Sequence, residues 1–228
     1  MIPLRDDQPS SQRPLMTWAL IAINVALFLY ELMLGERLEP FLMQAAFVPA
    51  RLFGGGGVHG GDLQVDNALL SMFLHGGWAH IGGNMLFLWI FGDNVEDRFG
   101  HVKFLIFYLL CGIAATFAQY YVSPSSNIPN VGASGAIAGV LGAYILMFPQ
   151  ARVNVLFGNQ MVAMPALIVL GFWIVLQLFS GVGSIAYTDE STRDMGGVAY
   201  MAHVGGFVAG FLMTFLFRGS GGNPRLSA

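Results

Sequence analysis

The chain has 228 residues, 55% of them hydrophobic and 10% charged, with a net charge of -3. An ordinary soluble domain carries about 25% charged residues, so this balance excludes a conventional water-exposed surface. No basic block suits nucleic acid, and the single cysteine, Cys111, excludes an intrachain disulfide framework.

A helix needs ~20 mostly apolar residues to cross ~30 Å of hydrocarbon. Segments of that kind lie at 16–34, 75–95, 103–122, 133–149, 161–182 and 197–217, predicting an all-α integral membrane protein with six spans. The first, Met16 to Leu34, is not followed by a small-x-small cleavage site and is expected to be a retained anchor. Residues 1–15 are then an N-terminal segment, 16–217 the membrane domain, and 218–228 a polar tail expected to be disordered.

Excess Arg and Lys mark cytoplasmic loops. With the N terminus inside, Arg5, Arg13, Arg98, Lys103, Arg152, Arg218 and Arg225 are cytoplasmic and only Arg37, Arg51 and Arg193 are outside, so both termini are predicted to be cytoplasmic. The first outer loop, 35–74, contains an apolar stretch from Phe41 to Phe53 that is too short to span, followed by glycines 54–57. Such a stretch suits either the membrane interface or packing on the helix ends.

Polar side chains are costly inside hydrocarbon, so each is a candidate functional group. The second span carries His75, His80 and Asn84, the fourth opens with Gly132-Ala133-Ser134-Gly135, and the sixth contains Ala202-His203. With the N terminus inside, all three spans enter from the outer face, which puts these residues at similar depth: Ser134 within a turn of its helix end and His203 about 9 Å down its own. Gly135, Gly139 and Gly142 on the fourth span, and Gly206 and Gly210 in a G-x-x-x-G spacing on the sixth, allow close backbone approach, although such glycines are common in membrane helices of any role.

A serine hydroxyl becomes a useful nucleophile when an adjacent base takes its proton, and neutral imidazole is the usual base near pH 7. Ser134 and His203 fit those two roles. No Asp or Glu is expected in the outer half of a span, so a dyad rather than a triad is anticipated, and Asp189, Glu190 and Asp194 are read as solvated loop charges. The backbone N–H of Ser134, at a helix start, is free to bind an oxyanion. His80 and Asn84, four apart, share a helix face and both can donate; they suit an oxyanion hole or an interhelical hydrogen-bond pair equally well. His75, five before His80, is expected to face elsewhere and support the first loop. No metal or other cofactor is called for.

Taken together, these residues resemble the rhomboid family of intramembrane serine proteases: His-x-x-x-Asn on the second span (His80, Asn84), Gly-x-Ser-Gly on the fourth (Gly132, Ser134, Gly135) and Ala-His-x-x-Gly-x-x-x-Gly on the sixth (Ala202, His203, Gly206, Gly210). The resemblance implies a six-helix core with a water-filled cavity open to the outer face. It also implies a catalytic pair, Ser134 and His203, with an oxyanion hole from His80, Asn84 and the Ser134 N–H. Glu96, within Asn-Val-Glu-Asp at 94–97, looks like a structural hydrogen-bonding residue of the family.

Substrates, by the same resemblance, are single-span membrane proteins cut near the outer face, with the fifth span and the 183–196 loop as a moving gate and cap. The short N terminus without an organelle presequence suggests a bacterial plasma membrane. Where some members carry an aromatic ring four residues after the serine, stacked on the histidine, this chain has Ala138, so the His203 ring must rely on other contacts. The alternatives are a non-catalytic rhomboid-like protein that binds membrane clients and, ranked last because neither an inverted repeat nor an intramembrane carboxylate is expected, a transporter or channel.

Overall fold

The structure, a computed structural model, describes residues 2–52, 65–187 and 199–218. Glycines 54–57, the charges at Asp189, Glu190, Arg193 and Asp194, most of the 183–196 loop and the tail after Arg218 lie outside the described residues. Strand β1 (Ile2–Asp6) is followed by helices α1 (Leu15–Leu34), α2 (Leu38–Ala45), α3 (Val65–Ser71), α4 (Trp78–Phe99), α5 (His101–Val122) and α6 (Ser134–Met147). Strands β2 (Arg152–Phe157) and β3 (Gln160–Pro165) then precede helices α7 (Ala166–Tyr187) and α8 (Tyr200–Phe217).

The protein is mostly helical, and each expected span contains a helix. Among the described residues four helical runs are long and apolar enough to cross a membrane: Leu15–Ala45, His101–Val122, Ala166–Gly183 and Tyr200–Phe217. The other two expected spans differ in kind. Helix α4 has 22 residues but carries Asp93, Glu96, Asp97 and Arg98 in its last two turns, and α6 is apolar but has only 14 residues.

The sheet was not expected. Residues 161–165, assigned to the fifth span, belong instead to β3, which pairs antiparallel with β2, itself paired with β1. A tight turn at Gly158, with φ +59, joins β2 to β3. Pro165 closes β3 on the edge of the sheet, where its missing N–H leaves no ladder bond unmade. Apolar length alone cannot tell a strand of this kind from the beginning of a helix.

Helix α6 is the centre of the bundle, buried continuously from Gly135 to Ile145. Its glycines meet those of α8 backbone to backbone. A methyl group added at Gly206 would lie 2.0 Å from the Gly135 carbonyl oxygen, and one at Gly210 would lie 2.1 Å from that of Gly139. Contacts that short are impossible, so only glycine permits this separation of the two helices.

The N-terminal segment is clamped against α4 and α6. Glu96, 1% exposed, accepts the Met16 N–H at 2.8 Å through one oxygen and the Thr17 N–H and hydroxyl at 2.8 and 2.7 Å through the other. A carboxylate there satisfies orphan donors at the start of α1 and complements its dipole. Ser10 and Ser11 donate to Asp93 and Asp97, and the hydroxyl of Tyr144, well down α6, donates to Asp6.

Burial pushes the Asp6 carboxyl up from 3.8 to about 6, against the hydrogen bond from Tyr144 and with added repulsion from Asp93 and Asp7. The folded chain therefore holds this proton more tightly than the unfolded chain. The group favours folding progressively as pH falls from about 6 towards 3.8, and weighs against folding above that window. Asp6→Asn keeps an acceptor for Tyr144 and removes the charge. Thermal unfolding in detergent should show a higher melting temperature for this variant at about pH 7.5 and a flatter pH dependence below it; an unchanged slope would contradict the assignment.

Candidate active site

Ser134 is the first residue of α6, so its N–H has no partner within the helix. The turn leading into it is fixed from the segment between α1 and α4: Asn130 donates its N–H to Phe47 O at 2.8 Å, and Gly132 donates to Ser71 O at 2.9 Å. The Phe47 N–H in turn donates to the Ser71 hydroxyl at 2.7 Å. Phe47, Val48 and Leu52 are buried, so this part of the Phe41 to Phe53 stretch packs on the helix ends rather than lying free at an interface. Gly132 has φ +122, a conformation that disfavours a side chain.

His203, three residues into α8 and 8% exposed, places Nε2 at 2.8 Å from Ser134 Oγ. That is hydrogen-bonding distance between an acceptor imidazole nitrogen and a hydroxyl. The other ring nitrogen, Nδ1, lies 2.7 Å from Oε1 of Gln177 on α7. Trp173, one turn earlier on α7, lies against the ring at a centroid separation of 5.7 Å and an interplanar angle of 34°. These contacts answer the question raised by Ala138, which is buried with no ring to offer. The histidine is held from α7.

His80 and Asn84 line the same cavity as Ser134 and His203. Both reach the turn before Ser134, because a methyl group at Gly132 would lie 2.6 Å from His80 Nε2 and 3.6 Å from Asn84 Nδ2. Asn84 Nδ2 donates to His75 Nε2 at 3.0 Å, and the His75 and His80 rings meet edge to face at 5.1 Å. His75 therefore does not face elsewhere. Helix α4 begins only at Trp78, so helical spacing does not apply to His75, and the preceding loop folds its ring back against Asn84.

A carboxylate also stands where none was expected. Glu31, near the end of α1 and 1% exposed, accepts the His75 backbone N–H through both oxygens, at 3.1 and 3.2 Å. It lies in the outer half of the predicted first span but is bonded to the His75 amide rather than to His203. Among the described residues no three His, Cys, Asp or Glu side chains converge to hold a metal ion.

The cavity has a volume of about 680 Å³ and extends below the Ser134–His203 pair to Phe87, Leu141 and Trp173. Phe87 of α4 and Trp173 of α7 approach with ring centroids 6.4 Å apart. The site thus combines a hydroxyl within reach of an imidazole, several polar side chains at one helix start, and a largely apolar chamber.

Gln177, Trp173 and Glu31 were missed from sequence. Gln177 and Glu31 had a signal, since each is a polar side chain inside an apolar segment. Trp173 had none, because an aromatic residue in an apolar run is ordinary.

A family model described as the rhomboid domain matches residues 62–220. Similar curated proteins include RHOMBOID-like protein 5 of Arabidopsis thaliana, 32% identical over 64% of this chain and 41% of its own length. Rhomboid protein 1, mitochondrial, of Saccharomyces cerevisiae is 28% identical over 86% of this chain and 51% of its own length. Rhomboid protease GluP of Bacillus subtilis is 32% identical over 70% of this chain and 28% of its own length. The chain therefore spans about half or less of each of these relatives.

Because Gly206 touches the Gly135 carbonyl, Gly206→Ala should force α6 and α8 apart just where Ser134 and His203 meet. Overpacking of this kind typically destabilises by about 1–3 kcal/mol. Unfolding in detergent should show that loss relative to Gly76→Ala, whose added methyl meets nothing within 4 Å. Equal stability of the two variants would mean that the contact is not needed.

Proposed function

The chain belongs to the rhomboid family, and on that footing we propose that it is an intramembrane serine endopeptidase in which Ser134 is the nucleophile and His203 the general base. The observation that carries this reading is the 2.8 Å approach of His203 Nε2 to Ser134 Oγ. Nε2 takes the hydroxyl proton as Oγ adds to the carbonyl carbon of the scissile bond, and returns it to the leaving amine. The resulting acyl enzyme is then hydrolysed by water, with the same imidazole as base. The Ser134 N–H, His80 and Asn84 are the donors for the oxyanion.

In this reading α1, α4, α5, α6, α7 and α8 are the six spans of a domain covering 16–217, with the termini cytoplasmic and the site near the outer face. Substrates are single-span membrane proteins. A hydrogen-bonded helix hides its carbonyls, so a substrate must unwind locally before Ser134 reaches it. The supports are the family membership, the protease named among the relatives and the shared depth of the polar groups.

The test compares membrane proteins shed from cells carrying the parent, Ser134→Ala and His203→Ala. Either substitution should lower shedding by about a thousandfold or more, with little change in melting temperature. A variant that sheds the same proteins at the parent's rate contradicts the assignment. If neither the parent nor the variants release anything while all bind the same membrane proteins, the non-catalytic client-binding role is favoured instead.

A further inference from the structure

The imidazole at the centre of the site needs more than proximity to serine. It must present an unprotonated nitrogen to Oγ, and neutral histidine has two tautomers, of which only one does so. We propose that Gln177 is the positioning residue that selects this tautomer, its Oε1 accepting the Nδ1–H of His203 at 2.7 Å and so leaving Nε2 as the acceptor facing Ser134. The inference rests on the protease reading and deepens it.

Three observations on α7 converge on this role. An amide carbonyl oxygen can only accept, so a nitrogen bonded to it must carry the proton. Gln177 is turned inward while its apolar neighbours Leu176, Leu178 and Phe179 are 45%, 46% and 72% exposed, the reverse of what polarity would dictate in water. A polar residue placed inward in an apolar helix needs a partner, and His203 is that partner. Trp173, four residues earlier and on the same helix face, lies against the imidazole plane. One residue therefore fixes the ring's protonated edge and the other its face.

A neutral acceptor also suits the surroundings. Among the described residues, the groups facing His203 are Ser134 from α6, His80 from α4 across the cavity and Gln177 and Trp173 from α7. Helix α5 contributes Gln119, which accepts the neighbouring Ala202 N–H at 3.3 Å. None is a carboxylate. An amide sets the tautomer without burying a charge that would need its own counter-ion.

The experiment measures the rate at which a fluorophosphonate labels Ser134 in liposomes as a function of pH, separating the maximal rate from the affinity for the probe. The proteins are the parent, Gln177→Met, which keeps the length without an acceptor, and Gln177→Glu, which keeps an acceptor and adds charge. The Met variant should lose about 10- to 100-fold in maximal rate with probe affinity little changed, the effect of one well-placed hydrogen bond. The Glu variant should label faster than the Met variant, with its acid limb displaced to higher pH by about one unit, because a carboxylate at Nδ1 favours the imidazolium. A Met variant as fast as the parent, or a Glu variant no faster than Met with an unmoved acid limb, overturns the role of Gln177 and leaves the protease reading standing. If the parent itself is not labelled at Ser134, both fall.

Discussion

The site depends on how closely α6 and α8 approach. Ser134 and His203 belong to different helices, 69 residues apart in the chain, and their side chains meet because the two backbones touch at Gly135 with Gly206 and at Gly139 with Gly210. Lipid tails are as apolar as leucine, so the hydrophobic effect does not drive helices together within a bilayer. Close packing does, and glycine provides the closest. The same choice that stabilises the pair of helices therefore sets the distance between the Ser134 hydroxyl and the His203 ring. Glu96 pins the start of α1 to the end of α4, and the Asn130, Gly132 and Ser71 bonds hold the entry to α6.

How much of this was legible follows from the bilayer acting as the solvent. In hydrocarbon every polar side chain stands out, which is why Ser134, His203, His80 and Asn84 could be named as candidates from sequence, and the structure has all four lining one cavity. The glycine spacings marked the contact between the fourth and sixth segments without fixing its distance. Less legible were the features whose residues look the same in two structures. Met161 to Pro165 form a strand because β2 lies beside them, a long-range fact that apolar length does not carry. His75 escapes a helical spacing because it precedes the start of α4 at Trp78.

The support of His203 was hidden for a different reason. Ala138, four residues along α6 from the serine, is buried and has no ring to offer. The structure finds the support on α7, the helix that also presents many large apolar side chains outward. Helix α7 thus contributes both a wall of the cavity, through Trp173, and the partner of the His203 ring, through Gln177. Both contacts with the His203 ring therefore come from the helix that also walls the cavity. Glu31 illustrates the same logic on the other side of the cavity, where α1 steadies the loop that carries His75 to Asn84.

On the proposed reading the α6–α8 contact turns Ser134 into a nucleophile through His203. The measurement that reads this most directly treats membranes containing the parent and His203→Ala with a fluorophosphonate and locates the adduct by peptide mass spectrometry. A single adduct on Ser134 in the parent, absent from the His203→Ala protein, is the expected result. An adduct on another residue, or one on Ser134 that forms equally well without His203, would contradict it.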